Sequence, residues 1–274
     1  MRRTPENQNK PIGIFDSGLG GLAVTSEIVQ RMPDEDILYF ADFANLPFGP
    51  KKREQVQGFV TRIVDFLASR KAKAIVIACN TATVAGLPTA KEIAGGIPVV
   101  GMINPAVEVV LEQGRYEKIG VIGTAGTINS KSYEKNFRKH NWKNPVYGHA
   151  CPNLLRLAEK GEINDKERIN QLARECINPL LEKGIDALIL GCTDFTCVKD
   201  TLKEVVPPRV DIIDPAREVA RTVNEKLKSR DWMRKGEDES QLCFYHTNGL
   251  PEETREFSRR VFNLTIDEIV PTDI

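Results

Sequence analysis

The chain has 274 residues, and its 38 Lys+Arg balance 38 Asp+Glu, so the formal net charge is zero. That balance argues against nucleic acid or an anionic membrane as the main partner, and no apolar run approaches the ~20 residues that span a bilayer. With 41% apolar residues, the chain can build one large domain or two smaller ones around real cores.

Taken in order, the first stretch, MRRTPENQNK, has basic residues but no apolar segment behind them. It reads as a frayed tail over 1–10 rather than a secretory signal, and a cytoplasmic location is expected. Short apolar, β-branched runs then alternate with longer amphipathic stretches. PIGIF (11–15) and DILYFAD (36–42) are the first two strands, followed by a helix over 53–71. AIVIAC (74–79), IPVVGMI (97–103) and KIGVIG (118–123) are the next strands. A second long helix covers 166–184, with Gly184 as its cap, and leads to ALILGC (187–192) and RVDIID (209–214). SRDWMRKGEDES (229–240) reads as a solvated loop, and QLCFYHTNG (241–249) as a strand in need of a sheet. The strands are apolar throughout rather than alternating, which favours parallel sheets covered on both faces. Strand alternating with helix means an α/β fold.

The chain also looks doubled. IGIFDSGLG begins at Ile12 and IGVIGTAGT at Ile119, and each is followed by a strand that ends in a cysteine. Two similar α/β lobes with mostly parallel sheets are therefore expected: 11–103 plus 211–274 for the first and 104–210 for the second. Ligands bind outside the carboxyl ends of such strands. Asp16, Cys79, Thr124 and Cys192 all stand just past strand ends, so facing lobes would bring them into one cleft.

Of the six cysteines, none belongs to a CxxC pair, and the three histidines do not cluster with them at zinc-ligand spacing. No metal site and no disulfide scaffold is expected, and an ordinary cysteine here reads as a small buried hydrophobe. Cys79 and Cys192 stand apart. Two thiols facing each other across a cleft can take a proton from one face of a carbon and return one to the other. Backbone N–H groups at a helix N-terminus favour a thiolate, while a nearby carboxylate favours the thiol. Asn80 and Thr81 after Cys79, and Thr193 after Cys192, are suited to hold a carboxylate as its α-proton leaves. Simple N-capping would explain any one of them.

FDSGLGGL (15–22), PFGP (47–50), ACNTAT (78–83), IGVIGTAGTINSKSY (119–133), ACPNLLRLAEKG (150–161) and LILGCTDF (188–195) together closely resemble the glutamate racemases, cofactor-independent members of the aspartate/glutamate racemase superfamily. The resemblance runs from about 11 to 270. It implies that Cys79 and Cys192 carry out the proton transfers. By the same resemblance Asp16 and Ser17 meet the substrate amino group, with Asp16 assisting Cys79. Asn80 and Thr81 hold the α-carboxylate, Thr193 joins them, Phe48 and Gly49 fall on the family's Tyr-Gly substrate loop, and Glu159 is the acidic residue on the side of Cys192. It also implies a small amino-acid substrate, no pyridoxal phosphate, no metal, a homodimer, and D-glutamate made for peptidoglycan.

The chain departs from that pattern in places. The family's second thiol motif reads GCTH, and here Asp194 stands in place of the histidine. Phe48 replaces the loop tyrosine, Asn104-Pro105 the usual Glu-Pro, and Ala41-Asp42-Phe43 the usual Gly-Asp-Thr. A carboxylate at Asp194 would favour the thiol form of Cys192 and repel a substrate side-chain carboxylate; the bland reading of Asp194 is a helix cap. Aspartate-type racemases carry glutamate at that position. The expected function is glutamate racemisation. The alternatives are a same-fold racemase or isomerase for aspartate or another amino or carboxylic acid, and a non-catalytic relative that binds a partner.

Overall fold

A computed structural model describes residues 7–159, 165–235, 239–249 and 251–274. In chain order the elements begin β1 (Ile12–Asp16), α1 (Leu22–Arg31), β2 (Ile37–Ala41), α2 (Arg53–Ser69), β3 (Ala74–Ile77), α3 (Asn80–Ile93), β4 (Val99–Gly101) and α4 (Ile103–Gln113). They continue with β5 (Ile119–Gly123), α5 (Ala125–Asn129), α6 (Ser132–Lys139), β6 (Val146–Ala150), α7 (Pro152–Glu159), α8 (Lys166–Leu181) and β7 (Ala187–Gly191). The last are α9 (Lys199–Val205), β8 (Asp211–Ile213), α10 (Pro215–Lys228), β9 (Leu242–His246), α11 (Pro251–Phe262) and β10 (Glu268–Pro271).

These strands make two parallel sheets, one ordered β10-β9-β2-β1-β3-β4 and the other β6-β5-β7-β8. The architecture is the expected one, two α/β units. Every residue of β1, β3, β5 and β7 is buried, as strands covered on both faces require. Alternate side chains go to opposite faces. Ile12, Ile14, Ala74 and Val76 join α1 and α10 on one face of the first sheet, while Phe15, Ile75 and Ile77 join α2 and α3 on the other. In the second sheet Leu188 and Leu190 meet α7, α8 and α9, and Val121 and Ile189 meet α4 and α6. The stripe Ile169, Ala173, Cys176, Ile177 and Leu180 of α8 shows how the 3.6-residue period reaches this core. Each wholly buried Ile or Leu in it contributes roughly 1.5–3 kcal/mol.

The structure corrects several expectations. Strands β6 and β10 were not foreseen; both are edge strands, half-buried or exposed along most of their length. The run assigned to the start of the returning segment, 211–213, pairs with β7 and so belongs to the second sheet. The tail is outside the described residues over 1–6, but at 7–10 it is docked: Lys73 Nζ donates to the Gln8 carbonyl at 2.8 Å and to that of Trp232 at 3.0 Å. Lys73 and Glu35 form a buried ion pair at the same place, and Arg234 pairs with Asp36, so Trp232, Met233 and Arg234 of the 229–240 loop are partly packed while 229–231 are exposed as expected. Helix α8 stops at Leu181, and Gly184, at φ +71°, turns the chain toward β7. Cys151 and Cys176 are not separate buried thiols. They form a disulfide between the turn before α7 and the middle of α8, with Cα atoms 5.4 Å apart. No helix among the described residues is long and apolar enough to cross a membrane.

Candidate active site

Cys79 and Cys192 occupy equivalent places, each in extended backbone just past a buried strand (β3 and β7) and each leading into a helical turn. Both are nearly closed to solvent, at 6% and 8% exposure. Asp16 at the end of β1 and Thr124 at the end of β5 are buried beside them. The lobes are joined by hydrogen bonds between these strand ends. Thr193 Oγ1 donates to Asp16 Oδ2 at 3.2 Å, Thr81 and Thr124 share a hydroxyl bond at 3.0 Å, and Tyr133 donates its hydroxyl to Asn80 Oδ1 at 2.8 Å. The expected convergence of strand ends from both lobes is thus present in the geometry.

Asp16 is held by its own loop. Its Oδ1 accepts from the Ser17 N–H at 2.7 Å and its Oδ2 from the Gly21 N–H at 2.7 Å. Ser17 directs its hydroxyl toward the same carboxylate. Burial raises the Asp16 pKa, against the neighbouring Cys79 thiol and hydrogen bonds from Ser17, Gly21 and Thr193 that lower it. Gly20 makes the approach of the lobes feasible, and Gly21 the close packing of the first loop on its own lobe. A Cβ at Gly20 would lie 2.6 Å from Asp194 Oδ1, and one at Gly21 would lie 2.7 Å from the Tyr39 hydroxyl.

Each thiol has a carboxyl partner. Cys79 lies beside Asp16, whose charge acts on it, and the Cys192 thiol donates to Asp194 Oδ2 at 3.3 Å. Burial, then the neighbouring aspartate, pushes both thiols well up. Backbone N–H groups pull the other way and lose: the helix N-termini do not make thiolates in the unliganded protein. Asp194 is pushed up to about 8, first by burial and then by Asp16 and Glu159. Glu159, half-buried at the end of α7, is raised by burial and by Asp16, with Arg156 opposing. Three carboxyls therefore share one cleft.

Capping accounts for only one of the polar residues. Thr124 caps α5, its hydroxyl accepting from the Thr127 N–H at 3.1 Å. Asn80, Thr81 and Thr193 spend their side chains across the lobe interface instead, and the carboxyl of Asp194 is on Cys192 rather than on a helix end. Gly49 lies against Thr124, where a Cβ would come within 3.2 Å. Phe48 differs from expectation in what it can do. Its ring is 1% exposed and stacks on Phe59 at 5.3 Å, and without a hydroxyl it offers a ligand only backbone groups. Sequence reading missed Gly20 and Tyr133. Both lie inside the resembling blocks, but their reach across to the other lobe leaves no mark in a single sequence.

Comparison with known proteins shows the family and the fold. Residues 12–223 match the family described as Asp/Glu/Hydantoin racemase. A glutamate racemase of Geobacter metallireducens is 40% identical over 225 residues, 82% of this chain and 83% of that protein. The crystal structure of a glutamate racemase isoform from Bacillus anthracis superimposes with a TM-score of 0.91 at 34% identity, covering 97% of this chain and 98% of the other. That of the Francisella tularensis glutamate racemase in complex with D-glutamate gives 0.89 at 30% identity, with the same coverage. The chain belongs to the Asp/Glu/Hydantoin racemase family and is an isomerase of the racemase type.

Proposed function

We propose that this racemase inverts the α-carbon of an amino acid, glutamate first, between the thiols of Cys79 and Cys192. The observation that carries the reading is the pair of buried thiols at matching strand ends of facing lobes, each with its own aspartate beside it. The Cys79 thiol proton passes to Asp16, and the thiolate takes the α-proton of one enantiomer. The electron pair moves into the α-carboxylate, where Asn80 and Thr81 stabilise it. Cys192 delivers its proton to the opposite face, and Asp194, a carboxylic acid at neutral pH, reprotonates the sulfur. In the reverse direction the two sides exchange roles. Ser17, Gly49, Thr124 and Thr193 shape the substrate pocket, Phe48 lines it through its backbone, and Glu159 sets the charge beside Asp194. No cofactor is needed for this sequence of steps.

The names of the relatives favour glutamate. If that is the substrate, the product D-glutamate supplies peptidoglycan, and the enzyme works in the cytoplasm as a homodimer. A second reading, in which the substrate is aspartate or another amino acid, is favoured by Asp194, because aspartate-type racemases also carry an acid at that position. The test is α-proton exchange in deuterated water with single enantiomers of glutamate and aspartate. Exchange is expected with glutamate, and racemisation should vanish in both Cys79→Ala and Cys192→Ala. Exchange with aspartate alone would move the substrate, and near-full racemisation in either variant would sink the two-thiol mechanism.

A further inference from the structure

Asn80 is 2% exposed, and only one end of its amide is used. The Tyr133 hydroxyl donates to Oδ1 at 2.8 Å, while Nδ2 is buried without a hydrogen-bond partner among the described residues. A buried amide donor left without an acceptor is costly, and such groups mark places where a ligand completes the bonding. Tyr133 is itself 2% exposed and comes from α6 of the opposite lobe. Its ring lies beside Gly191, where a Cβ would come 3.4 Å from Cε2. One side chain therefore touches the residue after Cys79 with its hydroxyl and the residue before Cys192 with its ring.

We propose that Tyr133 is a positioning residue of this site: its hydroxyl locks the Asn80 amide with Oδ1 engaged, so that Nδ2 is the group left to meet the substrate α-carboxylate. The inference rests on the proposed role of Asn80 in holding that carboxylate. Packing alone would not call for the hydroxyl, since a phenylalanine ring would fill the same space. Nor is the hydroxyl needed to join the lobes, because Thr193–Asp16 and Thr81–Thr124 already do so. Burial keeps the phenol protonated far above neutral pH, so it remains a donor throughout the working range. Without that donor the amide can turn over and present its oxygen to the carboxylate, a repulsive contact in place of an attractive one. Because Tyr133 and Asn80 belong to different lobes, the donor that aims the amide is supplied from across the cleft.

The test is a double-mutant cycle on the full chain, read by steady-state α-proton exchange and by thermal unfolding. Tyr133→Phe should lower kcat/KM about 10-fold, the scale of one buried hydrogen bond. Most of that loss should fall on KM, with the melting temperature changed by less than about 2 °C. The same substitution in an Asn80→Ala background should cost less than about twofold, because the group it aims is gone. Asn80→Asp keeps an acceptor for Tyr133 and removes the amide donor, so it should lose at least as much as Tyr133→Phe with the tyrosine intact. Two results would overturn the proposal: a Tyr133→Phe loss of equal size in both backgrounds, or Asn80→Asp within twofold of wild type. If Tyr133→Phe unfolds the protein, the Asn80→Asp result still decides. Wild-type protein that exchanges neither glutamate nor aspartate would remove the racemisation reading and this inference together. An active wild type with an inactive Asn80→Ala and an unaffected Tyr133→Phe would remove the inference alone.

Discussion

Asp194→Asn tests the charge state on which the cleft depends. Asp194 is pushed up to about 8 from an ordinary 3.8 because burial and two neighbouring carboxyls penalise its ionised form. At 1.36 kcal/mol per pH unit that gap has a ceiling of ~6 kcal/mol. Asp194 keeps some solvent contact, so screening reduces the working figure to ~2 kcal/mol. The sign follows from the direction. A carboxyl whose folded pKa lies above its unfolded one contributes stability that is complete below pH ~4 and is lost as pH rises through about 8. Wild-type protein should lose that ~2 kcal/mol across this window, and the asparagine variant should not. For lobes of this size it corresponds to roughly 4–8 °C in melting temperature. The assay is thermal unfolding of both proteins at pH 5 and pH 8.5. The gap between variant and wild type should widen by that amount at the higher pH. A gap that stays constant within about 1 °C would mean that Asp194 ionises normally and that the three-carboxyl account is wrong.

Two further outcomes follow from local geometry. Gly20→Ala places a methyl group 2.6 Å from Asp194 Oδ1 and 2.7 Å from Thr193 Oγ1, which must push the first loop off the second lobe. A loss of about 1–3 kcal/mol in stability, together with a raised KM, is expected from calorimetry and exchange kinetics; an unchanged variant would show that the lobes need not meet so closely. Cys151→Ser, or a reductant added to wild type, opens a loop spanning 25 residues. The chain-entropy account gives about 3 kcal/mol for it, and a melting temperature indifferent to both would show that the link stabilises nothing.

How much of this was legible depended on where each signal was stored. The inner strands announced themselves because both faces are buried, and runs such as AIVI and ALILG have nothing polar in them. Strand β6 hid because Gly148 and His149 break its apolar run and the strand is only half-covered; β10 hid because it is short and ends in Pro271. Cys79 and Cys192 were legible because a reactive side chain directly after a buried strand must stand at the carboxyl edge of a sheet. The function of Gly20 was not legible, because what it avoids is Asp194, far away in sequence. The Cys151–Cys176 pair was missed for the same reason: spacing alone does not say which cysteines meet. Local chemistry and the convergence of the strand ends were readable along the chain, and the individual contacts between the lobes were not.

The charges in the cleft suggest why both thiols rest protonated. Asp16 raises Asp194 and Glu159, Glu159 raises Asp194, and Asp16 and Asp194 raise the sulfurs. Arg156 opposes this at Glu159, and the strongest influences on Asp16 and Asp194 among the described residues include no basic side chain. An amino acid arrives with an ammonium group on the carbon to be inverted. Placed beside Asp16, that cation would lower the carboxyl and the Cys79 thiol together, because an opposite charge within a few ångströms favours each ionised form. The site would then be charged for proton abstraction only while substrate is bound, and a buried thiolate would not stand idle in the free enzyme, open to oxidation. On this view Asp194 is not a poor substitute for an imidazole. It gives Cys192 the same kind of partner that Asp16 gives Cys79, which makes the two faces of the α-carbon chemically alike, as a reaction run in both directions requires.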